Sequence, residues 1–331
     1  MIITRTPFRI SFFGGGTDYP QWFKDHEGSV LSTTIDKYCY ISCRELPPFF
    51  EHKHRIVYSK IENVKSVQAI MHPSVRACLG YIGDERGYEI HHDGDLPARS
   101  GLGSSSSFTV GLLNALYGMK GKMSSKELLA KDAIHVEQEL IGENVGCQDQ
   151  IAAAFGGLNK VQFNRSGSFS VDPLILPSAR RDELNDHLML FFTGLSRIAS
   201  TVAGAQINNL DRRQSELSAM HSMVDEAISL LQSSTESISS LGRLLHESWM
   251  LKRTLSDRVT TSEIDAIYQS AIKAGADGGK LLGAGGGGFL LIFAAPEKQA
   301  RIKQTLSNLA HVPFRFEDSG SRVVLYQPNG L

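Results

Sequence analysis

The 331-residue chain lacks a Gly-x-x-x-x-Gly-Lys-[Ser/Thr] string, which excludes the commonest phosphate-binding loop. It also lacks any run of about 18 apolar residues, so no segment is expected to span a membrane. Neither sign of charge dominates: 34 Lys and Arg stand against 35 Asp and Glu. Without a positive excess or a basic run, binding to a nucleic acid backbone is not expected. Cysteine is scarce. Cys39, Cys43, Cys78 and Cys147 have no metal-ligand spacing and read as reduced core thiols of a cytoplasmic protein. The first residues carry no basic-then-apolar signal, because Arg5 and Arg9 interrupt their apolar positions. His91 and His92 would face opposite sides of a strand and cannot share one ion.

The chain does have a dense glycine and serine run. Leu96-Pro-Ala-Arg-Ser-Gly-Leu-Gly-Ser-Ser-Ser-Ser-Phe108 passes straight into an apolar helical pattern at Phe108, Val110, Leu112, Leu113 and Leu116. Gly101 and Gly103 let the backbone turn sharply and approach a ligand. The serines sit where a helix begins, and free N–H groups at a helix start attract anions. Gly101, Leu102, Gly103, Ser104, Ser105, Ser106 and Ser107 therefore form a candidate phosphate cradle. A side chain at Gly103 is expected to fill the space the phosphates need. A flexible linker would not lead directly into an amphipathic helix.

The remaining pattern is α/β. Strands are expected at Ile2 to Phe13, Ser29 to Arg44, Arg55 to Lys60 and Tyr88 to Asp93, with further short ones to Val171. Helices are expected at Val67 to Ile82, Ser104 to Tyr117, Ser125 to Ile141 and Gln150 to Ala154. A strand at Leu188 to Thr193 opens the second half. Long periodic stretches come next, at Ala199 to Leu231 and Ile238 to Leu255, then a helix at Ser262 to Ala274. The halves are expected to divide near Pro173 to Arg181, giving lobes of residues 1–175 and 176–331. A second glycine run, Gly283-Ala-Gly285-Gly-Gly-Gly288, matches the dinucleotide string Gly-x-Gly-x-x-Gly. Such a fold needs a strand before the run and a helix after it. Here a polar segment, Asp277-Gly-Gly-Lys280, precedes it, and the strand-like Phe289-Leu-Leu-Ile-Phe293 comes after it, so that reading is set aside.

Three motifs in order carry a resemblance. They are Thr6-Pro-Phe-Arg-Ile-Ser-Phe-Phe-Gly-Gly-Gly-Thr-Asp-Tyr19, the Gly101 to Ser107 run, and Lys280-Leu-Leu-Gly-Ala-Gly-Gly-Gly-Gly-Phe-Leu290. Together they resemble the GHMP kinases (galactokinase, homoserine kinase, mevalonate kinase, phosphomevalonate kinase), over most of the chain. The first motif departs from the galactokinase form. Gly14-Gly15-Gly16-Thr17-Asp18-Tyr19 stands where that enzyme has Gly-Glu-His-Thr-Asp-Tyr. Two side chains that would touch the sugar are missing, which leaves room there. The motif is similar to that of the bacterial D-glycero-D-manno-heptose 7-phosphate kinases, which act on the anomeric 1-hydroxyl; the fucokinase domain belongs to the same branch.

The resemblance implies a two-lobed GHMP-kinase fold of α/β (α+β) class with the active site in the inter-lobe cleft. It also implies ATP and Mg²⁺ as cofactors. By position in Glu137-Gln-Glu-Leu-Ile-Gly-Glu-Asn-Val-Gly-Cys-Gln-Asp149-Gln150, Glu137 matches the metal-binding glutamate and Asp149 the catalytic aspartate, against a solvated helix residue and a helix cap; Arg9 matches the family's arginine, acting on the Asp149 carboxylate or on the transferred phosphoryl group. Ser105 is matched to the metal-binding serine, with Ser104 and Ser106 as alternatives. Gly283, Gly285, Gly286 and Gly287 form the third motif. For the sugar, Gly15, Gly16, Thr17 and Asp18 are expected at the pocket, with a plain turn as the competing role of Asp18. Arg197 is the candidate for a substrate phosphate, against an ordinary surface arginine, and Arg44 and Arg99 come next. Expected partners are ATP and a small-molecule sugar phosphate, with no nucleic acid and no membrane; a homodimer is an allowed assembly. A hexose 1-kinase and a non-catalytic sugar and ATP sensor are the alternatives, and the joint presence of Asp149, Glu137 and Arg9 favours an enzyme.

Overall fold

The computed structural model describes residues 1–98, 100–195 and 199–328. It opens with β1 (Ile2–Phe13), α1 (Pro20–His26) and β2 (Gly28–Glu45). β1 and β2 run antiparallel from Ile2↔Cys43 to Phe13↔Leu31. From Thr6 onward β1 is buried on both faces. Strand side chains alternate, so Phe8, Ile10 and Phe12 share one face while Arg9 and Ser11 share the other, toward a cavity.

Next come β3 (His54–Val57), β4 (Ile61–Val64), α2 (Pro73–Ile82) and β5 (Tyr88–Gly94). The helix expected from Val67 is divided. Val67–Ala69 make a single 3-10 turn, and α2 starts at Pro73. Proline fits a first helical position but cannot continue a helix arriving from before it. His72 caps α2, its ring accepting from the Val75 N–H at 3.4 Å.

α3 (Ser104–Met119) lies against β1 and β2. Gly111 permits the close approach: a side chain there would reach Thr6 Oγ1 at 2.8 Å. Thr4 Oγ1 donates to the Gly111 carbonyl at 2.9 Å. α4 (Lys126–His135) is capped by Ser125, whose hydroxyl accepts from the Leu128 N–H at 3.1 Å. It continues as a π turn at Val136–Leu140. α5 (Gln148–Phe155), β6 (Asn159–Phe163) and β7 (Phe169–Pro173) complete this half.

The second half contains α6 (Ser178–Asp186), β8 (Leu188–Phe192), α7 (Ala199–Ile207), α8 (Gln214–Gln232), α9 (Ser239–Thr254) and α10 (Ser262–Lys273). The stretch from Ala199 to Leu231 is thus two helices, with a 3-10 turn at Leu210–Arg212 between them. The chain then runs through β9 (Gly278–Leu281), β10 (Phe289–Phe293), α11 (Pro296–Thr305), β11 (Ala310–Val312), β12 (Phe316–Glu317) and β13 (Arg322–Tyr326). β9 corrects the polar reading of Asp277 to Lys280. Its glycines are packing residues: a side chain on Gly278 would collide with the Gly242 carbonyl of α9. A strand does precede the second glycine run, but β10 comes after it, so the dinucleotide arrangement is still absent.

Two sheets organise the chain. The larger has nine strands, with β13-β1-β2-β5-β3-β4 in order and β6, β7 and β12 attached through β2. All its pairings are antiparallel except β3 with β5. The smaller is antiparallel, in the order β11-β8-β10-β9. A separate apolar cluster, including Met189, Phe191, Trp249 and Tyr268, forms around it. The lobes are not two contiguous halves of the chain. β12 and β13 return to the first sheet, Ile2 pairing with Tyr326. The first sheet thus takes strands from both residues 1–175 and residues 176–331.

Candidate active site

The cradle is built from β1 outward. The Arg9 N–H donates to the Leu102 carbonyl at 3.0 Å, and Ser107 Oγ donates to the Pro7 carbonyl at 2.9 Å. These bonds fix the start of α3 against the strand. Gly101 and Gly103 have φ of +84° and +73°, a left-handed conformation that favours glycine. Ser104, Ser105 and Ser106 then face a cavity also lined by Gly101 and Gly103. Leu102 and Ser107 do not line it. Leu102 is a core side chain and Ser107 a tether to β1, which corrects their expected contact with ATP. A side chain at Gly103 would meet Arg9 Cγ at 3.2 Å and Asp149 Oδ2 at 3.4 Å.

Arg9 and Asp149 meet at the floor of this cavity. Arg9 Nε donates to Asp149 Oδ1 at 2.7 Å and Nη2 to Oδ2 at 2.8 Å. Nη1 donates to the Gly101 carbonyl at 2.6 Å. The fork-on-carboxylate geometry fixes both groups. Arg9 is buried, while Asp149, in the first turn of α5, stays partly open to the cavity.

The Gly14 to Asp18 turn forms another wall. Gly15 and Gly16 line the cavity and Asp18 joins them. The Gly16 N–H donates to Asp18 Oδ1 at 2.9 Å and the Gln148 N–H to Oδ2 at 3.4 Å. Asp18 therefore binds backbone on both sides while facing the cavity. Burial raises its pKa, opposed by the Gly16 bond. Thr17 is corrected to a structural role. It is fully buried, and its hydroxyl donates to the Gly14 and Ser29 carbonyls at 2.8 and 3.0 Å. The extra room implied by three glycines exists at one position. Gly14 would collide with the Ser29 carbonyl, and Gly16 has φ +109° with Leu217 at 3.1 Å. At Gly15 a side chain would meet only Gln148 and Ser11, both at 3.7 Å.

Glu137 lies behind the cradle, completely buried on the π turn. Ser106 Oγ donates to Glu137 Oε2 at 2.8 Å, and Gln150 Nε2 donates to the same oxygen. The serine that touches Glu137 is thus Ser106, not Ser105. On the first turn of α3 the Ser105 side chain is exposed while that of Ser106 points inward. Glu137 Oε1 is buried without a hydrogen-bond partner. Burial pushes the carboxyl up to about 7, and the hydroxyls of Thr109 and Ser106 and the Gln150 amide work against that rise. An unpartnered carboxylate oxygen beside a hydroxyl suits a hard dication, which needs only one or two protein oxygens besides phosphates and water. Among the described residues no group of three or more His, Cys, Asp or Glu is placed to hold a metal.

The third motif packs backbone on backbone, and Gly283 carries it across to the first lobe. A side chain on Gly283 would lie 2.6 Å from Gly101 Cα; on Gly285, 2.6 Å from the Val259 oxygen; on Gly287, 2.5 Å from the Leu195 oxygen. The Gly286 N–H donates to the Val259 carbonyl at 2.9 Å. Only Gly283 of these four lines the cavity.

Arg197 lies outside the described residues, as does Arg99. Arg44 is bound to Glu89, Nε to Oε2 at 2.7 Å, and does not line the cavity. Sequence reasoning missed Ser11, Gln148, Gln206, Lys252 and Lys280, all on the cavity wall. For Lys252 a signal existed. It falls on the apolar stripe of α9 with Leu241, Leu245, Ser248 and Trp249, where a charge is out of place.

Comparisons with known proteins agree with this architecture. Residues 67–157 match the GHMP kinases N terminal domain, and residues 227–311 match GHMP kinases C terminal. The chain is 31% identical over 315 residues to the D-glycero-alpha-D-manno-heptose 7-phosphate kinase of Campylobacter jejuni, covering 92% of this chain and 93% of that one. It is 26% identical to the bifunctional fucokinase/GDP-fucose pyrophosphorylase of Arabidopsis thaliana, covering 92% of this chain and 31% of that longer protein. The crystal structure of a D-glycero-D-manno-heptose 1-phosphate kinase from Bacteroides thetaiotaomicron superposes with a TM-score of 0.78, at 23% identity and 98% of both chains, and shows the same fold. With matched models for both lobes and a relative of this identity along nearly its whole length, the chain belongs to the GHMP kinases.

Proposed function

We propose that this kinase transfers the γ-phosphoryl group of ATP to the anomeric 1-hydroxyl of a sugar phosphate, D-glycero-D-manno-heptose 7-phosphate, giving the 1,7-bisphosphate and ADP. The observation that carries the reaction type is the Arg9–Asp149 pair facing the same cavity as the serine-lined start of α3. The sugar rests on the likeness to the Campylobacter jejuni enzyme.

In this reading the cradle N–H groups and the Ser104 and Ser105 hydroxyls hold the triphosphate. The acceptor hydroxyl oxygen attacks the γ-phosphorus as the bond to the β,γ-bridging oxygen breaks, and that electron pair leaves on ADP. The hydroxyl proton passes to Asp149, held at the correct angle by Arg9. Ser106 and Glu137 fit Mg²⁺, which when bound neutralises phosphate charge. Asp18, Ser11 and Gln148 supply hydrogen bonds for the sugar. Ser11 Oγ and Gln148 Oε1 are both buried without partners, as expected of groups awaiting hydroxyls. Four buried, unpaired thiols fit a reducing cytoplasm.

The test is a coupled assay for ADP over heptose 7-phosphate, free heptose, L-fucose and galactose. Heptose 7-phosphate is expected to turn over far better than the rest; preference for an unphosphorylated hexose would replace it with a hexose 1-kinase. In the same assay Asp149→Asn is expected to lower kcat by about 10²- to 10⁴-fold, with ATP affinity unchanged. Near-normal turnover would remove Asp149 from the mechanism.

A further inference from the structure

Lys252 and Lys280 are the least expected residues of the cavity. Both are nearly inaccessible, both line it, and both come from the second lobe, on α9 and β9. Among the described residues neither forms an ion pair. Lys280 Nζ donates to the Phe12 carbonyl at 2.7 Å. Lys252 Nζ donates to the Gly283 carbonyl and, at 3.5 Å, to that of Leu281. Buried ammonium groups without a carboxylate are rare, because desolvation is costly unless an opposite charge arrives.

The place of Lys252 identifies that charge. Its partner Gly283 packs on Gly101, whose carbonyl accepts from Arg9 Nη1. The amine therefore stands across the Gly101–Gly283 contact from the guanidinium, on the wall of the cavity that the start of α3 also lines. The charged groups that act on it are Arg9 on β1, Asp18, Asp149 on α5 and Lys280 on β9. Arg9 already holds Asp149 on two oxygens, so Arg9 has little charge left for a phosphoryl group. We infer that Lys252 is a catalytic residue of the second lobe that stabilises the phosphoryl group in flight between ATP and the acceptor hydroxyl. Lys252 then supplies, from the second lobe, the positive charge that the transfer requires. This inference rests on the kinase reading and is independent of which sugar accepts the group.

A purely structural Lys252, pinning the Gly283 turn, is the competing role, and protonation separates the two. A neutral amine keeps two N–H donors for the Gly283 and Leu281 carbonyls, but it offers a phosphoryl group no charge. Burial and the neighbouring Arg9 push Lys252 down to about 8, with Asp18 and Asp149 opposing. The amine is charged below that value and neutral above it.

The test measures kcat/KM against pH for the full chain and for Lys252→Arg, with ATP, Mg²⁺ and heptose 7-phosphate. If another sugar in the screen is the acceptor, that sugar is used. Wild type is expected to lose activity as pH rises through about 8. Lys252→Arg is expected to keep activity within about tenfold at pH 7 and to lose the alkaline fall, since arginine stays charged. An unchanged alkaline fall in Lys252→Arg overturns the inference. A second readout needs no sugar: calorimetric affinity for ADP with Mg²⁺ and aluminium fluoride, against ADP with Mg²⁺ alone. Lys252→Met is expected to lose at least tenfold of the fluoride-dependent gain while ADP affinity holds; an undiminished gain contradicts the role. Absence of turnover with heptose 7-phosphate in wild type, with another sugar used, would fault only the proposed substrate.

Discussion

The two glycine-rich runs have similar composition and opposite uses. In Gly101 to Ser107 the glycines turn the backbone so that α3 begins facing the cavity, and the serine hydroxyls line it. In Gly283 to Gly288 the glycines are absent side chains that let backbone lie on backbone. Gly283 meets Gly101, Gly285 meets Val259, Gly287 meets Leu195, and Gly288 meets Ser100. The first run lines the cavity; the second packs within its own lobe at Gly285 and Gly287 and onto the start of the first run at Gly283 and Gly288. Glycine content alone does not distinguish these uses. The element after each run distinguishes them. The first run leads into an amphipathic helix whose start can bind anions, the second into a buried strand.

The comparison is broken most severely at Gly283, where the runs touch. Gly283→Ala puts a methyl 2.6 Å from Gly101 Cα at a backbone φ of +73°. Clash and strain together are expected to cost at least about 3 kcal/mol, a fall in Tm of about 4 °C or more. ATP binding should weaken with it, and calorimetry reads both. A wild-type Tm would mean that the runs are not in contact.

A comparable effect, confined to the cradle side, comes from Glu137. Its folded pKa is raised to about 7, above the ordinary glutamate value of 4.5. The folded protein therefore binds the extra proton, and ligand-free stability falls as pH rises from about 4.5 through 7. A shift of this size corresponds to the order of 3 kcal/mol. Glu137→Gln is expected to flatten that part of the stability profile, measured by urea unfolding at pH 5 and pH 8. Parallel profiles would show that Glu137 is not the buried acid described.

The smallest effect is expected at Thr17, which serves the fold and not the ligand. Thr17→Val removes its hydrogen bonds to Gly14 and Ser29 and should cost about 1 kcal/mol of stability, with KM for sugar and ATP unchanged. A raised sugar KM would return Thr17 to the pocket.

Much of this arrangement was legible in the sequence, because it depends on local chemistry. The cradle, its helix and the strand leading to Arg9 come from glycine conformation, helix-start donors and apolar spacing. The helix break before Pro73 was also open to reading, since proline starts helices and does not continue them. Other features depend on contacts far apart in the chain. The return of β13 to pair with β1 has no local signature. Nor does the choice of Ser106 over Ser105 at Glu137, which is set by rotation about α3. The strand β9 is hidden because Gly278 and Gly279 have low strand preference and are there for packing. The resemblance located Asp149 and Arg9 in the sequence, but their bidentate contact across 140 positions is visible only in three dimensions.

The difference between a run proposed to bind and a run that packs is tested most directly by the ATP-induced rise in Tm, read by scanning calorimetry on Ser105→Asp and Gly285→Ala. Ser105 is exposed on the first turn of α3, where an acidic side chain suits the helix start but would place negative charge where the triphosphate is proposed to bind. Gly285, at φ +121°, does not line the cavity, and a side chain there would strike Val259. Ser105→Asp is predicted to keep the ligand-free Tm and lose the rise with ATP. Gly285→Ala is predicted to lower the ligand-free Tm and keep the rise. A full rise in Ser105→Asp, or a lost rise in Gly285→Ala at an unchanged ligand-free Tm, would contradict the account.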